Sequence, residues 1–264
     1  HRDLHSFPTR RSSDLAKEVP SGARVVTLLS AESGLVEAFV FGGGKSKLRS
    51  LASPWHYGRA WVYSEPAKDF TKLSDFDALR EYPCIRGNLE AIGAASFASE
   101  FIIATSALGG DWADAVDLTT SFLEALDKAV SRGDHDAVGR AVSLFTVRVL
   151  ELLGQLPDPG ECSACAGTMR SDGVHWYSRR AGGFLCAHCA GSGSGGPDRH
   201  FREDLLEVPA GAFAWLEASA DVSFDAAVRV GLGKEALAGL QAYALDLARK
   251  AVDSPLRTLD SGFV

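Results

Sequence analysis

Four of the five cysteines stand in two pairs, Cys162-Ser163-Ala164-Cys165 and Cys186-Ala187-His188-Cys189, with two residues inside each pair and twenty between the pairs. That is the spacing of a closed tetrahedral zinc site, because two intervening residues in a tight turn bring both thiolates to one side of the backbone. Each pair reads as a zinc knuckle, and the expected ligands are Cys162, Cys165, Cys186 and Cys189. Two alternatives stay open. A C-x-x-C redox pair normally occurs once, at a helix start, whereas here the motif occurs twice in glycine-rich surroundings. A disulfide framework needs an oxidising compartment, for which the unpartnered Cys84 gives no support. Four cysteines fill a zinc ion's coordination sphere and leave no position for water or substrate, so the expected zinc is structural.

The rest of the chain must supply ordinary folded structure around this staple. With 264 residues, 46% of them hydrophobic, it can bury one large core or two to three modest ones. No run approaches the length of a membrane span and no leader is recognisable, so the chain reads as cytoplasmic. A formal net charge of −7 excludes a surface that coats nucleic acid throughout. The charge is uneven, however: residues 38–64 contain no acid but carry Lys45, Lys47, Arg49 and Arg59, whereas the stretch from Glu203 onward holds ten acids and five bases.

Taken in order, His1 to Leu15 shows no periodicity and is similar to an adaptor-derived artefact found at the ends of assembled reading frames, so it is set aside as non-native. From Arg24 the pattern becomes β-rich. RVVTLLS and LVEAFVFGGG flank a turn at Glu32-Ser33-Gly34, with Val36, Ala38 and Val40 alternating against Glu37, Phe39 and Phe41. GRAWVYSEPA places Trp61 and Tyr63 opposite Val62, and Asp75–Arg80 can add an edge strand or turn. Such short strands predict a small antiparallel barrel. Three amphipathic helices follow: Ile85 to Ala107 with an apolar stripe through Leu89 and Ile92, a second capped by Asp111, and a third from Asp134 burying Val138 through Leu152. They predict a bundle, interrupted by the cysteine segment and resumed after the run GSGSGGP.

The stretch FGGGKSK is not a phosphate-binding P-loop, since Phe39 stands where the first glycine is required. Its glycines still permit close approach of a phosphate. On an extended segment Lys45, Lys47 and Arg49 would share one face; the alternative is a solvated hairpin tip. Trp55, His56, Tyr57, Trp61 and Tyr63 follow, and aromatic rings beside cations suit a single-strand platform, with at least half of these rings expected in packing. His175 and His188 are spare metal ligands that four cysteines make unnecessary. Arg179 and Arg180 lie between the knuckles. Asp111, Asp114 and Asp117 read as helix-start acids. No catalytic motif is present, and the chain reads as non-enzymatic.

The stretches RVVTLLSAESGLVEAFVFGGGKSKLRSLASPW, LLGQLPDPGECSAC with GGFLCAHC, and SPLRTLDS together resemble the bacterial RecO family of recombinational repair proteins. The resemblance implies an α+β architecture: an N-terminal OB-fold barrel, then an α-helical bundle with an inserted four-cysteine zinc finger. The corresponding segments are 1–15 as the artefact, 16–82 as the barrel, 83–160 as helices, 161–192 as the finger and 193–264 as the helices completing the bundle. It also implies a non-enzymatic mediator that binds single- and double-stranded DNA, anneals complementary strands, and helps load RecA recombinase onto strands covered by single-strand-binding protein. RecR, sometimes RecF, and the tail of single-strand-binding protein are the implied partners. Lys45, Lys47 and Arg49 match the basic segment of the family's barrel; Trp55 and Arg59 complete the candidate DNA-contacting set. Because the suspect stretch stands where a first strand belongs, an incomplete barrel is expected. The rival reading is a zinc-stapled protein-interaction module that does not bind DNA directly.

Overall fold

A computed structural model of the protein describes residues 2–7, 23–42, 46–105, 112–169, 173–191 and 204–262, with backbone alone for Arg2–Phe7. Contacts divide the chain into two units, His1–Ser131 with Leu256–Val264, and Arg132–Pro255.

The first unit opens with the barrel. Its strands are β1 (Arg2–Phe7), β2 (Arg24–Ser30), β3 (Gly34–Val40), β4 (His56–Glu65) and β5 (Phe70–Arg80), and a short helix, α1 (Lys47–Leu51), lies between β3 and β4. They close in the order β1-β2-β3-β5-β4 with β1 against β4. Every pairing is antiparallel except β3 with β5, which run parallel through Phe39 and Lys72. This is a five-stranded OB topology, the fold that the family resemblance implies. The alternation in β3 holds: Ala38 and Val40 are buried with Val26, Leu28, Ala60, Leu73 and Phe76, while Glu37 faces out. At the β2–β3 turn Gly34 adopts φ +66°, and Ser30 Oγ accepts from the backbone N–H groups of Glu32 and Ser33 at 3.3 and 3.2 Å.

Two barrel expectations need correction. The barrel is not incomplete, because Arg2–Phe7 fills the slot between β2 and β4. Two open strand edges present rows of unpaired N–H and C=O groups, and an extended segment of six residues satisfies them through its backbone, whatever its side chains. Further, Lys47 opens a helix rather than continuing an extended segment. A two-residue step along a helix turns by about 200°, so the argument that placed Lys45, Lys47 and Arg49 on one face does not apply there.

Beyond the barrel lie α2 (Pro83–Arg86), α3 (Leu89–Ala104) and α4 (Trp112–Arg132). The single helix expected from Ile85 to Ala107 breaks at Gly87-Asn88, where the Asn88 side chain accepts from the Ala91 N–H at 2.9 Å and starts α3 afresh. Leu89, at the first position of α3, is 69% exposed and lies off the buried stripe. The buried face is built instead from small residues, Ala91, Ala94, Ala95 and Ala98, with Phe97 stacked on Phe101 at 5.7 Å. Asp111, expected to cap α4, lies outside the described residues. A closing helix, Arg257–Asp260, is received by α3: Glu100 accepts from the backbone N–H groups of Arg257 and Thr258 at 2.7 and 2.9 Å and from the Thr258 hydroxyl at 2.6 Å.

The second unit starts with α5 (His135–Leu152), capped by Asp134 accepting from Ala137 N–H at 3.0 Å. Val138, Val142, Phe145 and Val149 are buried as the periodicity predicts, but Leu152 at the frayed end is 43% exposed. Next come β6 (His175–Ser178), β7 (Gly183–Leu185), α6 (Ala187–Gly191), β8 (Leu205–Val208), α7 (Ala210–Ser219), α8 (Phe224–Arg229) and α9 (Lys234–Lys250). The three strands form an antiparallel sheet in the order β7-β6-β8. Tyr177, Phe184, Phe213, Tyr243 and His175 pack ring on ring beneath it, with the His175 imidazole stacked 3.9 Å from Phe213.

Candidate metal centre and nucleic-acid interface

The four predicted cysteines come together: one sulfur from each of Cys162, Cys165, Cys186 and Cys189 lies within 4.8 Å of all the others. Local turns explain the convergence. Ala166 N–H donates to Cys162 O at 2.8 Å and Ala166 takes a left-handed φ of 54°, which curls the first pair onto one side. Ser163 N–H donates to Phe184 O at 2.8 Å, tying the first pair to β7, the strand that delivers the second. A Cβ at Gly183 would lie 2.1 Å from Ser163 Oγ, so a larger residue there would turn that hydroxyl aside.

Backbone N–H groups are turned toward two of the sulfurs. Cys186 N–H points at Cys162 Sγ at 3.3 Å and Cys189 N–H at Cys186 Sγ at 3.4 Å. Burial works against ionising Cys162, but the backbone N–H groups of Cys186, Ala164 and Cys165 outweigh it and pull the thiol down to about 6. Cys189 moves the other way, up to about 12, because hydrogen bonds to the neighbouring thiols, Cys186 foremost, favour its protonated form. Four thiolates this close would need a cation among them. A metal bonded to sulfur at about 2.3 Å in a tetrahedron sets its ligands about 3.8 Å apart, and Cys165 Sγ and Cys186 Sγ are separated by 3.9 Å. The donor set therefore fits a metal ion. One sequence argument against a redox pair does not hold, since Cys186 does precede a short helix, α6. What distinguishes the site is the meeting of all four sulfurs in one cluster. His175 is buried under Phe213 and is not part of the cluster; Arg179 is paired with Asp246 at 2.6 Å.

The basic barrel segment is less uniform than its composition suggests. Lys45 lies outside the described residues, as does the side chain of Arg49. Lys47 is exposed at the start of α1, and Arg59 is exposed on the outer side of β4. In the β4–β5 register, Arg59 stands opposite Asp77 and Trp61 opposite Asp75, so this face carries both signs. Lys47, Leu48, Leu51, Trp61, Asp75 and Asp77 line a cavity of about 480 Å³. Trp55 has φ 57° and its indole N–H donates to Ser99 Oγ at 3.2 Å, which commits the ring to holding the turn before β4.

Of the five rings expected near the cations, only His56 is buried, and Tyr63 is 56% exposed. The inward positions of β4 belong to Ala60 and Val62, so Tyr57, Trp61 and Tyr63 are left on the outside. His56 Nδ1 donates to Leu51 O at 2.7 Å, which leaves Nε2 to accept from Arg86. Sequence reasoning missed this pair; it set Phe39 and Phe41 opposite the core face of β3 but did not join them to Phe70 and Lys72. Their alternation with the buried Val40 and Leu73 was the available signal.

Among the described residues, no helix is long and apolar enough to cross a membrane. Residues 86–234, more than half of the chain, match the family model described as "Recombination protein O C terminal". The chain is 28% identical over 222 residues to the DNA repair protein RecO of Anaeromyxobacter sp. (strain Fw109-5), covering 83% of this chain and 82% of that protein. It is 27% identical over 174 residues to the DNA repair protein RecO of Pelotomaculum thermopropionicum, covering 66% of this chain and 64% of that one. Against the DNA repair protein RecO of Anaeromyxobacter sp. (strain K) it is 30% identical over 169 residues, covering 63% of this chain and 64% of the other.

Proposed function

Because the chain belongs to the RecO family, we propose that it is a non-catalytic mediator of recombinational DNA repair, acting in the bacterial cytoplasm. The observation that carries this reading is the family match over residues 86–234 joined to a closed five-stranded barrel of OB topology. In this reading the barrel holds single- or double-stranded DNA by its backbone. Part of a bound strand stays open for annealing, and the protein assists RecA onto strands covered by single-strand-binding protein. RecR, RecF and the tail of single-strand-binding protein are the proposed partners.

Lys45, Lys47, Arg49 and Arg59 are the proposed phosphate contacts, supported by the acid-free window from 38 to 64 and by the exposure of Lys47 and Arg59. Trp55 is proposed to act by fixing the turn between α1 and β4, since its indole N–H is engaged by Ser99. Cys162, Cys165, Cys186 and Cys189 would hold zinc, which suits an all-thiolate tetrahedral set better than harder cations do. The zinc would supply folding energy only.

The second reading, an interaction module without DNA contact, draws on the acids interleaved on the β4–β5 face. A salt titration separates the two. Affinity for a labelled single strand should fall linearly in log–log form with salt, and the slope should drop by about 0.7 for each of Lys45, Lys47, Arg49 or Arg59 replaced by alanine. Binding that ignores both salt and these substitutions would favour the interaction module.

A further inference from the structure

The interior of the barrel is complete without three of its phenylalanines. Val26, Leu28, Ala38, Val40, Ala60, Leu73 and Phe76 fill it, while Phe39, Phe41 and Phe70 take outward positions, where they are partly buried against one another. These three rings meet where β3 and β5 run parallel. Phe39 and Phe70 lie nearly parallel, 15° apart with centroids at 5.4 Å, and Phe41 stands 6.3 Å from each. Lys72 lies among them, paired in register with Phe39 on one side and Tyr63 on the other, its ammonium 5.7 Å above the Phe41 ring.

These outward rings, three of them partly buried and Tyr63 56% exposed, add nothing to the filled interior. What these rings share is flat, accessible π surface around a single cation, next to a stretch of sequence without acids. Of the nearby carboxylates, Glu65 is paired with Lys68 at 2.8 Å, and Glu37 and Asp69 each hold interactions of their own. Flat rings that alternate with anionic groups are the matching ligand, which describes unpaired nucleotides. Bases stack on the rings while the phosphate between them meets the ammonium.

We infer that the Phe39–Phe41–Phe70 patch, with Lys72 and Tyr63, is a stacking platform for unpaired bases of single-stranded DNA, separate from the basic α1 segment. The inference rests on the DNA-binding reading above, and it adds a strand preference to it. Paired bases keep their faces inside the duplex, so the platform discriminates single from double strands through its rings alone.

The test compares the wild-type chain with Phe39→Leu/Phe70→Leu, which keeps apolar volume but removes π faces, on a single-stranded oligonucleotide carrying 2-aminopurine and on the matching duplex. The double variant should bind the single strand on the order of a hundredfold more weakly, with an unchanged salt slope, lost quenching of 2-aminopurine and unaltered duplex affinity. Lys72→Gln should instead lower the single-strand salt slope by about 0.7. Tyr63→Ala serves where the double variant fails to fold by circular dichroism, since this exposed ring supports no core; it should weaken single-strand binding about tenfold. Retained single-strand affinity and quenching in folded variants would overturn the platform and leave the DNA reading standing. Equal loss on both substrates would also overturn it. A wild-type chain that binds neither substrate would sink the DNA reading itself.

Discussion

Replacing Gly34 by alanine tests the β2–β3 turn and its neighbour together. At φ +66° an L side chain costs about 1–2 kcal/mol in backbone strain. The added Cβ would also lie 2.5 Å from Cε2, 2.8 Å from Nε1 and 2.9 Å from Cζ2 of the Trp112 ring, so the ring or the turn has to move. Displacing a packed indole is an overpacking cost of about 1–3 kcal/mol, and the reduced freedom of the unfolded alanine chain returns about 0.5 kcal/mol. Gly34→Ala should therefore destabilise the barrel by about 2–4 kcal/mol. Gly133→Ala is the internal standard, because Gly133 has φ +68° with nothing within 4 Å of its added Cβ and should cost only about 1 kcal/mol. Urea unfolding followed by circular dichroism gives the two values. Amide exchange in β2 and β3 assigns the first to the barrel, which matters because a chain of two units need not unfold in one step. The double variant Gly34→Ala/Trp112→Ala should show a favourable coupling of about 1–3 kcal/mol, since removing the ring relieves the clash. If Gly34→Ala costs no more than Gly133→Ala, or the cycle shows no coupling, the contact with Trp112 is not constraining the turn.

Removing the metal should act on the second unit: chelation, or Cys162→Ser, is expected to expose the amides of β6 and β7 to rapid exchange, because binding energy at such a site is folding energy; unchanged protection would refute a structural metal. Metal analysis of the purified chain should return about one zinc per protein. His56 makes stability depend on pH. Burial, offset in part by the Leu51 carbonyl and reinforced by Arg86, lowers its pKa from the ordinary 6.5. The unfolded chain then binds the proton more readily, so the contribution is complete above about pH 6.5 and is lost as the pH falls towards the lowered value. A urea midpoint that declines between pH 7.5 and 5 in the wild type but no less in His56→Gln would contradict this.

What could be read from the sequence was whatever repeats at the period of its own element. Two cysteine pairs, the alternation through Val36, Ala38 and Val40, and the capped stripe from Asp134 through Val149 each carry their spacing locally, and all three appear in the fold. The misses have the opposite character. Strand β1 is held by pairing with two distant strands, a demand made by their edges rather than by its own residues. The α1 turn is too short to show a period, so the sequence offered only an extended segment or a hairpin tip there. Leu89 and Leu152 fall on the helical stripe in sequence but at helix ends, where neighbouring turns no longer cover them. Phe39, Phe41 and Phe70 come from two strands, and only closure of the barrel puts them side by side.

The clasp between Glu100 and the Arg257–Asp260 helix sets an order of events during synthesis. Residues 1–131 leave the ribosome first, yet the unit they form also includes 256–264, which follow the whole of residues 132–255. Until then Glu100 has none of the three donors it later receives from Arg257 and Thr258. Nascent chains fold largely in the order they emerge. Here the second unit has all its residues before the first has its last ones, and the unit begun earliest is finished last. A stall or a premature stop near residue 255 would release a protein whose later unit is intact and whose earlier unit is not.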